Sequence, residues 1–196
     1  SYTAFMILYY TGMRVGELCA VTPADVDLEG HTITINKTFQ RINGRDVIWP
    51  PKTPKSNRVV TIPQTLANCL KEYMDKCYEI QPDDRLFPYT KNFLNHEMLR
   101  GCKKSGVKKI RVHDLRHSHA SLLIEMGCQP LLIADRLGHE KIQTTLGTYG
   151  HLYPNTNLEV AKKLTGILQV QSATESIANY TSNQHTAIYH RTVEEK

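Results

Sequence analysis

Arg111-Val112-His113-Asp114-Leu115-Arg116-His117-Ser118-His119-Ala120-Ser121 (RVHDLRHSHAS) runs directly into the apolar segment 122–127, LLIEMG. Three histidines and two arginines crowd eleven positions just ahead of a segment built for a core. A metal site, a basic patch facing DNA and a phosphate-binding catalytic pocket would each account for them. If the stretch is helical, His113 and Arg116 are three apart and share a face, so one imidazole and one guanidinium can meet the same phosphate. His117 and His119 fall elsewhere on the wheel, where packing or support of neighbours is the expected role. A plainer reading makes the stretch a polar first turn, with Asp114 matched to the helix dipole. Zinc fits less well, because Asp114 stands where H-E-x-x-H needs Glu and no third ligand is suitably spaced. Residues 96–100, HEMLR, start like that motif but end in Arg100, which cannot ligate zinc. No metal and no cofactor are expected.

Working outward, 196 residues at 40% hydrophobic content suffice for one substantial domain with its own core. Lys and Arg exceed Asp and Glu by 24 to 19, a net charge of +5 that favours an anionic partner. The five cysteines form an odd set without a C-x-x-C pair, which fits neither a disulfide framework nor a zinc ribbon and suits a reducing cytoplasm. No apolar run approaches the roughly 20 residues that cross a bilayer, so no membrane association is expected. The opening SYTAFMILYYTG lacks Met and reads as the interior of a helix ending at Thr11-Gly12. That reading suggests a fragment from which an N-terminal part is absent.

Hydrophobic periodicity divides the chain. HTITIN alternates with β-branched character, Asn43-Gly44 signals a hairpin, and NRVVTIP reads as a further strand. Strands are expected near 31–37, 38–42, 46–49 and 57–62, forming one small antiparallel sheet. From Pro63 the period shifts, setting Leu66, Leu70, Tyr73, Met74 and Cys77 on one helical face. Further helices are expected near 91–104, 113–126, 130–137, 141–149 and 155–169, with breaks at Gly106, Gly127, Gly138 and Pro154. Hairpins followed by a run of helices make an α+β fold. Two segments are expected: a domain over 1–168 and a polar tail over 169–196, too poor in apolar residues for a core of its own.

Cleaving a phosphodiester requires neutralising its non-bridging oxygens, work suited to the fixed, always charged fork of arginine. Four stretches bear on this: TGMRVGEL at 11–18, PPKTPKSNRVVTIP at 50–63, HDLRHSHAS at 113–121 and RLGHEKIQTTLGTYGHL at 136–152. Together, in this order, they closely resemble the tyrosine recombinases of the phage-integrase family, especially integrases of phages and conjugative transposons. The resemblance covers about residues 1–165 and implies a mainly helical catalytic domain without the family's N-terminal DNA-binding domains. It implies that Arg14 and Arg116 hold the scissile phosphate, that His113 assists proton transfer at the attacking hydroxyl, and that His139 hydrogen-bonds the phosphate. Glu17 would orient Arg14. Tyr149, ten positions after His139, would be the nucleophile, with Tyr153 its nearest rival. Lys52 and Lys55 both flank the turn where the family carries its catalytic lysine, and Lys52, in the KT pair, is preferred as the acid that protonates the leaving 5′-oxygen.

By this resemblance Tyr149 forms a 3′-phosphotyrosine bond and strands are exchanged without ATP. The implied partner is double-stranded DNA at attachment or transposon-end sites, bound by a homo-tetramer whose residues 170–196 dock on a neighbouring copy. The setting would be the cytoplasm, on the nucleoid, of a bacterium or phage host. Lys37, Arg41, Arg45, Lys55, Lys103, Lys104, Lys108, Lys109 and Arg111 are candidate phosphate contacts. Two rivals remain at this point: a regulatory DNA-binding module using helices 113–126 and 130–137 as a helix-turn-helix, and a type IB topoisomerase-like enzyme that relaxes supercoils.

Overall fold

The computed structural model describes residues 1–153, 160–162 and 164–167. The chain divides into two units, Ser1–Tyr153 and Pro154–Lys196. In the second, residues 160–162 and 164–167 are helical and exposed. The remainder of the expected 155–169 helix, the boundary at 168 and the tail over 169–196 lie outside the described residues.

The first unit opens with α1 (Tyr2–Thr11), which stops where Gly12 turns left-handed at φ 66° and its N–H donates to the Leu8 carbonyl. A short α2 (Val15–Leu18) follows, with Arg14 in extended conformation ahead of it. Then come β1 (Val26–Asp27), β2 (Thr32–Ile35), β3 (Thr38–Ile42), β4 (Arg45–Trp49) and β5 (Arg58–Thr61). Five α-helices, the last followed by a 3-10 turn at Gly150–Leu152, complete the unit: α3 (Gln64–Asp75), α4 (Lys91–Ser105), α5 (Asp114–Glu125), α6 (Pro130–Leu137) and α7 (Ile142–Tyr149). The α+β class stands, and α4 to α7 fall within one residue of their expected limits.

The strands depart from the expected single sheet. β1, β2 and β5 form one antiparallel sheet, with Ile33 opposite Val60 and Ile35 opposite Arg58. β3 and β4 pair only with each other, in a ribbon joined at Asn43-Gly44, where φ is 50° and 77° as a two-residue hairpin turn requires. Burial explains the split. Ile33 and Ile35 are both buried under β2, whereas in the ribbon only Phe39 is buried. Between them Lys37 folds back onto Asp25, ending the first sheet. Two-residue β1 carries no period from which to foresee it.

Two apolar clusters fix the frame. The larger joins α1 (Ile7, Leu8), the three-stranded sheet (Ile33, Val60), α3 (Leu66, Leu70) and Phe87. The face read along α3 packs there, with Tyr73, Met74 and Cys77 at its edge. The smaller gathers Ala120, Ile124, Ile133, Leu137 and Tyr149 from α5, α6 and α7. Because α1 packs against α5, the loop after α1 lies beside the first turns of α5.

Candidate active site

Arg116 is the innermost charge of this region, 4% exposed on the first turn of α5. Its Nη1 donates to the Gly12 carbonyl at 2.7 Å, across 104 residues of sequence. Its Nη2 is buried and has no hydrogen-bond partner among the described residues. Burial, followed by the charge of Arg14, lowers its pKa to about 10, so the group is still cationic at neutral pH. Gly12 has to be glycine here. Besides its positive φ, a Cβ would sit 2.6 Å from His119 Cδ2 and 2.7 Å from Leu137 Cδ2. Gly12→Ala is therefore expected to destabilise the fold by about 2 kcal/mol, lowering the thermal midpoint by roughly 5 °C. An unchanged midpoint in a thermal melt would contradict this close approach.

Arg14 is partly exposed, and its Nη1 is paired with Glu17 Oε1 at 2.7 Å. The other oxygen of Glu17 accepts the Arg14 backbone N–H at 2.8 Å and Arg58 Nη2 at 2.9 Å. Burial pushes the Glu17 pKa up, but hydrogen bonding and charge from Arg58, then from Arg14, outweigh it and hold the carboxyl below its usual range. Arg58, itself buried beside Glu17, also donates to the carbonyls of Ser56 and Arg136. Glu17 is thus the counter-ion of two arginines.

His139 follows Gly138, which ends α6 at φ 67° and packs so tightly that a Cβ would lie 2.8 Å from Arg58 Nη1. The ring's Nδ1 lies 2.8 Å from the buried Thr145 hydroxyl. If Nδ1 accepts from that hydroxyl, the proton sits on Nε2, which is then a donor. Burial first, then the charges of Arg116, Arg14 and Arg58, lower the pKa of His139 to about 4. Because Gly138 packs on Arg58, and Arg58 and Arg14 share Glu17, His139 stands beside the same arginine pair.

Tyr149 closes the site from the end of α7, 4% exposed and packed in the smaller core cluster. Its Oη lies 2.8 Å from His117 Nδ1. Burial raises its pKa while Arg116 works in the opposite direction, so the phenol is protonated at neutral pH. His113 stands at the N-terminal boundary of α5, its ring edge-on to that of His117 with centroids 5.0 Å apart. Burial, then the charges of His117, Arg116 and Arg111, lower the His113 pKa, with Asp114 opposing.

The structure therefore brings Arg14, Glu17, His113, Arg116, His139 and Tyr149 together, while Lys52 is exposed on the β4–β5 connection without an ion pair among the described residues. Lys55, on the same connection, approaches Asp135 of α6 at 3.7 Å. His119 takes the supporting role read for it: it is buried and accepts from Arg136 Nε at 3.0 Å. His117, four residues from His113, shares that residue's face of α5, where α7 returns and brings the Tyr149 hydroxyl within 2.8 Å of it. Arg58, Arg136 and Thr145 were unforeseen.

Of the basic residues expected to meet phosphates, Lys37 is already matched by Asp25, and Arg111 by Asp114 at 2.8 Å. Arg41 reaches Asp46 at 3.5 Å from the exposed ribbon. Lys103, Lys104, Lys108 and Lys109 are exposed along the end of α4 and the connection to α5.

The histidines also set the acid limit of the fold. Burial lowers His119 to about 4, as it does His139, from an ordinary value of 6.5. The unfolded chain binds these protons first, so the stability they contribute is complete above pH 6.5 and drains away as pH falls toward about 4. Glu17 adds loss of the same sign at lower pH. Melts across this window should show a steadily falling midpoint; a flat profile would contradict the burial of the two rings.

The chain belongs to the Phage integrase family, which matches residues 1–156 and so spans every residue of this site. It is 34% identical over 179 residues to the ICEBs1 integrase of Bacillus subtilis (strain 168), covering 85% of this chain and 49% of that one. It is 35% identical over 171 residues to the integrase of Staphylococcus phage L54a, covering 79% of this chain and 48% of that protein. The chain thus spans about half the length of the curated relatives it matches. Among solved structures, the Tn1549 transposon integrase in complex with circular intermediate DNA shares the fold, with a TM-score of 0.72 at 24% identity over 85% of this chain and 59% of that one. The catalytic domain of bacteriophage HP1 integrase superposes with a TM-score of 0.56 at 26% identity, covering 82% and 79%.

Proposed function

We propose that this chain is the catalytic domain of a site-specific DNA recombinase that serves the integration or excision of a mobile element. The observation that carries the reading is Arg116: a buried guanidinium whose Nη1 is engaged by Gly12 and whose Nη2 has no partner among the described residues, electrostatically coupled to a protonated tyrosine. A phosphate oxygen supplies what that nitrogen lacks. Arg116, Arg14 and His139 bind the non-bridging oxygens and stabilise the charge that grows on them at the transition state. Tyr149 attacks phosphorus, the bond to the 5′-oxygen breaks, and a 3′-phosphotyrosine link retains the energy of the phosphodiester. A 5′-hydroxyl from another duplex reverses the step. Lys52, on an exposed connection, protonates the leaving oxygen once DNA draws that connection over the site. The names of the relatives, integrases of an integrative element and of a phage, support this assignment.

The partner is duplex DNA, engaged in part through Lys103, Lys104, Lys108 and Lys109. Strand exchange takes place in a homo-tetramer in which the C-terminal tail of one copy docks on the next; that tail lies outside the described residues. The test is incubation of the full chain with a duplex nicked so that the freed 5′-fragment diffuses away. A protein–DNA band that survives denaturation, with the nucleotide mapped to Tyr149 by mass spectrometry, is the expected result. Duplex binding without any such band would favour a non-catalytic module. Relaxation of supercoils by the monomer without partner exchange would favour the topoisomerase reading.

A further inference from the structure

The Tyr149 phenol has one hydrogen-bond partner among the described residues, and it is Nδ1 of His117 at 2.8 Å. His113, the imidazole to which the family resemblance gives proton transfer at the attacking hydroxyl, makes no hydrogen bond to Tyr149; its ring meets His117 edge-on. The two rings of His117 and Tyr149 are tilted by 58° with centroids 5.8 Å apart, a contact through the polar atoms and not a stack. His117 is half-buried on α5, with His113 before it, Arg116 beside it and Tyr149 arriving from α7.

We propose that His117 is the catalytic base of this site, taking the Tyr149 proton as the strand is cut and returning it as the strand is rejoined. The inference rests on the recombinase reading. In cleavage the phenolic oxygen bonds to phosphorus while the bond to the 5′-oxygen breaks. The phenolic proton passes to Nδ1 of His117, in the tautomer that carries its hydrogen on Nε2, and the departing oxygen takes a separate proton from Lys52. In rejoining, a 5′-hydroxyl attacks and passes its proton to the Lys52 amine left neutral by cleavage, the bond between phosphorus and Oη breaks, and His117 gives its proton back to Oη. A group bonded to the reacting oxygen before DNA arrives has no rearrangement to make. Burial holds the phenol protonated in the free protein, so the nucleophile is idle until an acceptor acts on it. His113, edge-on to His117, orients that ring.

The experiment measures single-turnover adduct formation by the full chain on the nicked duplex for wild type, His117→Ala, His117→Asn and His113→Ala. Each protein is run on an ordinary phosphate and on one whose bridging 5′-oxygen is replaced by sulfur, a leaving group that needs no proton. Both His117 variants are expected to slow adduct formation by about 100-fold or more on both substrates, with duplex mobility shift and thermal midpoint close to wild type. Asn offers an acceptor near the place of Nδ1 but cannot take the proton, so recovery by Asn to near the wild-type rate would reduce His117 to a positioning residue and overturn the proposal. So would recovery of the His117 variants on the sulfur substrate, which would place the residue on the leaving-group side. A larger loss in His113→Ala with His117 variants near wild type would return the role to His113. If wild type forms no adduct, the recombinase reading falls and this inference with it; if wild type reacts and both His117 variants match it, this inference alone falls.

Discussion

Tyr149→Phe is expected to reduce covalent adduct formation to background, a loss of at least about 10³-fold, while binding of the duplex stays within a few-fold of wild type. The substitution removes one oxygen and keeps the ring among Ala120, Ile124, Ile133 and Leu137, so the second core cluster is preserved. What it costs the fold is the hydrogen bond to His117, about 1 kcal/mol. The rival nucleophile is four residues on. The Tyr153 hydroxyl is buried and has no partner among the described residues, and burial raises its pKa. Among the described residues no arginine is hydrogen-bonded to it, so it should not substitute. A wild-type level of adduct in Tyr149→Phe, mapped to Tyr153 or elsewhere, would remove the basis of the proposed chemistry.

Arg116→Lys should cost nearly as much, about 10²- to 10³-fold in the rate of adduct formation, although the charge is kept. The native guanidinium divides its work, one nitrogen on the Gly12 carbonyl and another left for the ligand. A lysine ammonium is a single point on a flexible stem and cannot fill both positions with fixed geometry. In a buried site it also holds its proton less firmly than arginine does. Arg116→Ala should lose activity as well as stability, because the Gly12 carbonyl is then left unmet inside the protein, at a cost of about 1–3 kcal/mol. Single-turnover rates for the Lys variant, taken beside its duplex affinity, decide the matter: a rate within tenfold of wild type would mean that charge alone suffices and that the fork geometry is incidental.

Much of this architecture could be read before any coordinates. Helix ends were legible where a glycine must adopt positive φ, as Gly12 and Gly138 do, and the Asn43-Gly44 turn announced its hairpin. The motif residues came with their mutual spacing. The parts that escaped are those made by chain return. Arg58 looked like one more strand residue, and only folding sets it on Glu17, 41 positions earlier. His117 looked like a packing residue because a helical wheel knows nothing of α7, which delivers Tyr149 to that face. Thr145 carries no pattern at all, yet it fixes the ring of His139. The split of the strands into a sheet and a ribbon likewise follows from what each buries, Ile33 and Ile35 in β2 against Phe39 alone in the ribbon, which the alternation of either segment does not betray.

Arg58 grips three places at once: the acid of α2, the connection before β5 and the last turn of α6. With the link from Gly12 to Arg116, this makes the reactive cluster a property of the finished tertiary structure and of no shorter piece of it. A chain emerging from the ribosome, or one partly unravelled by heat, owns all the same side chains but has no assembled centre. On the proposed chemistry, strand cutting would then begin only in the folded chain.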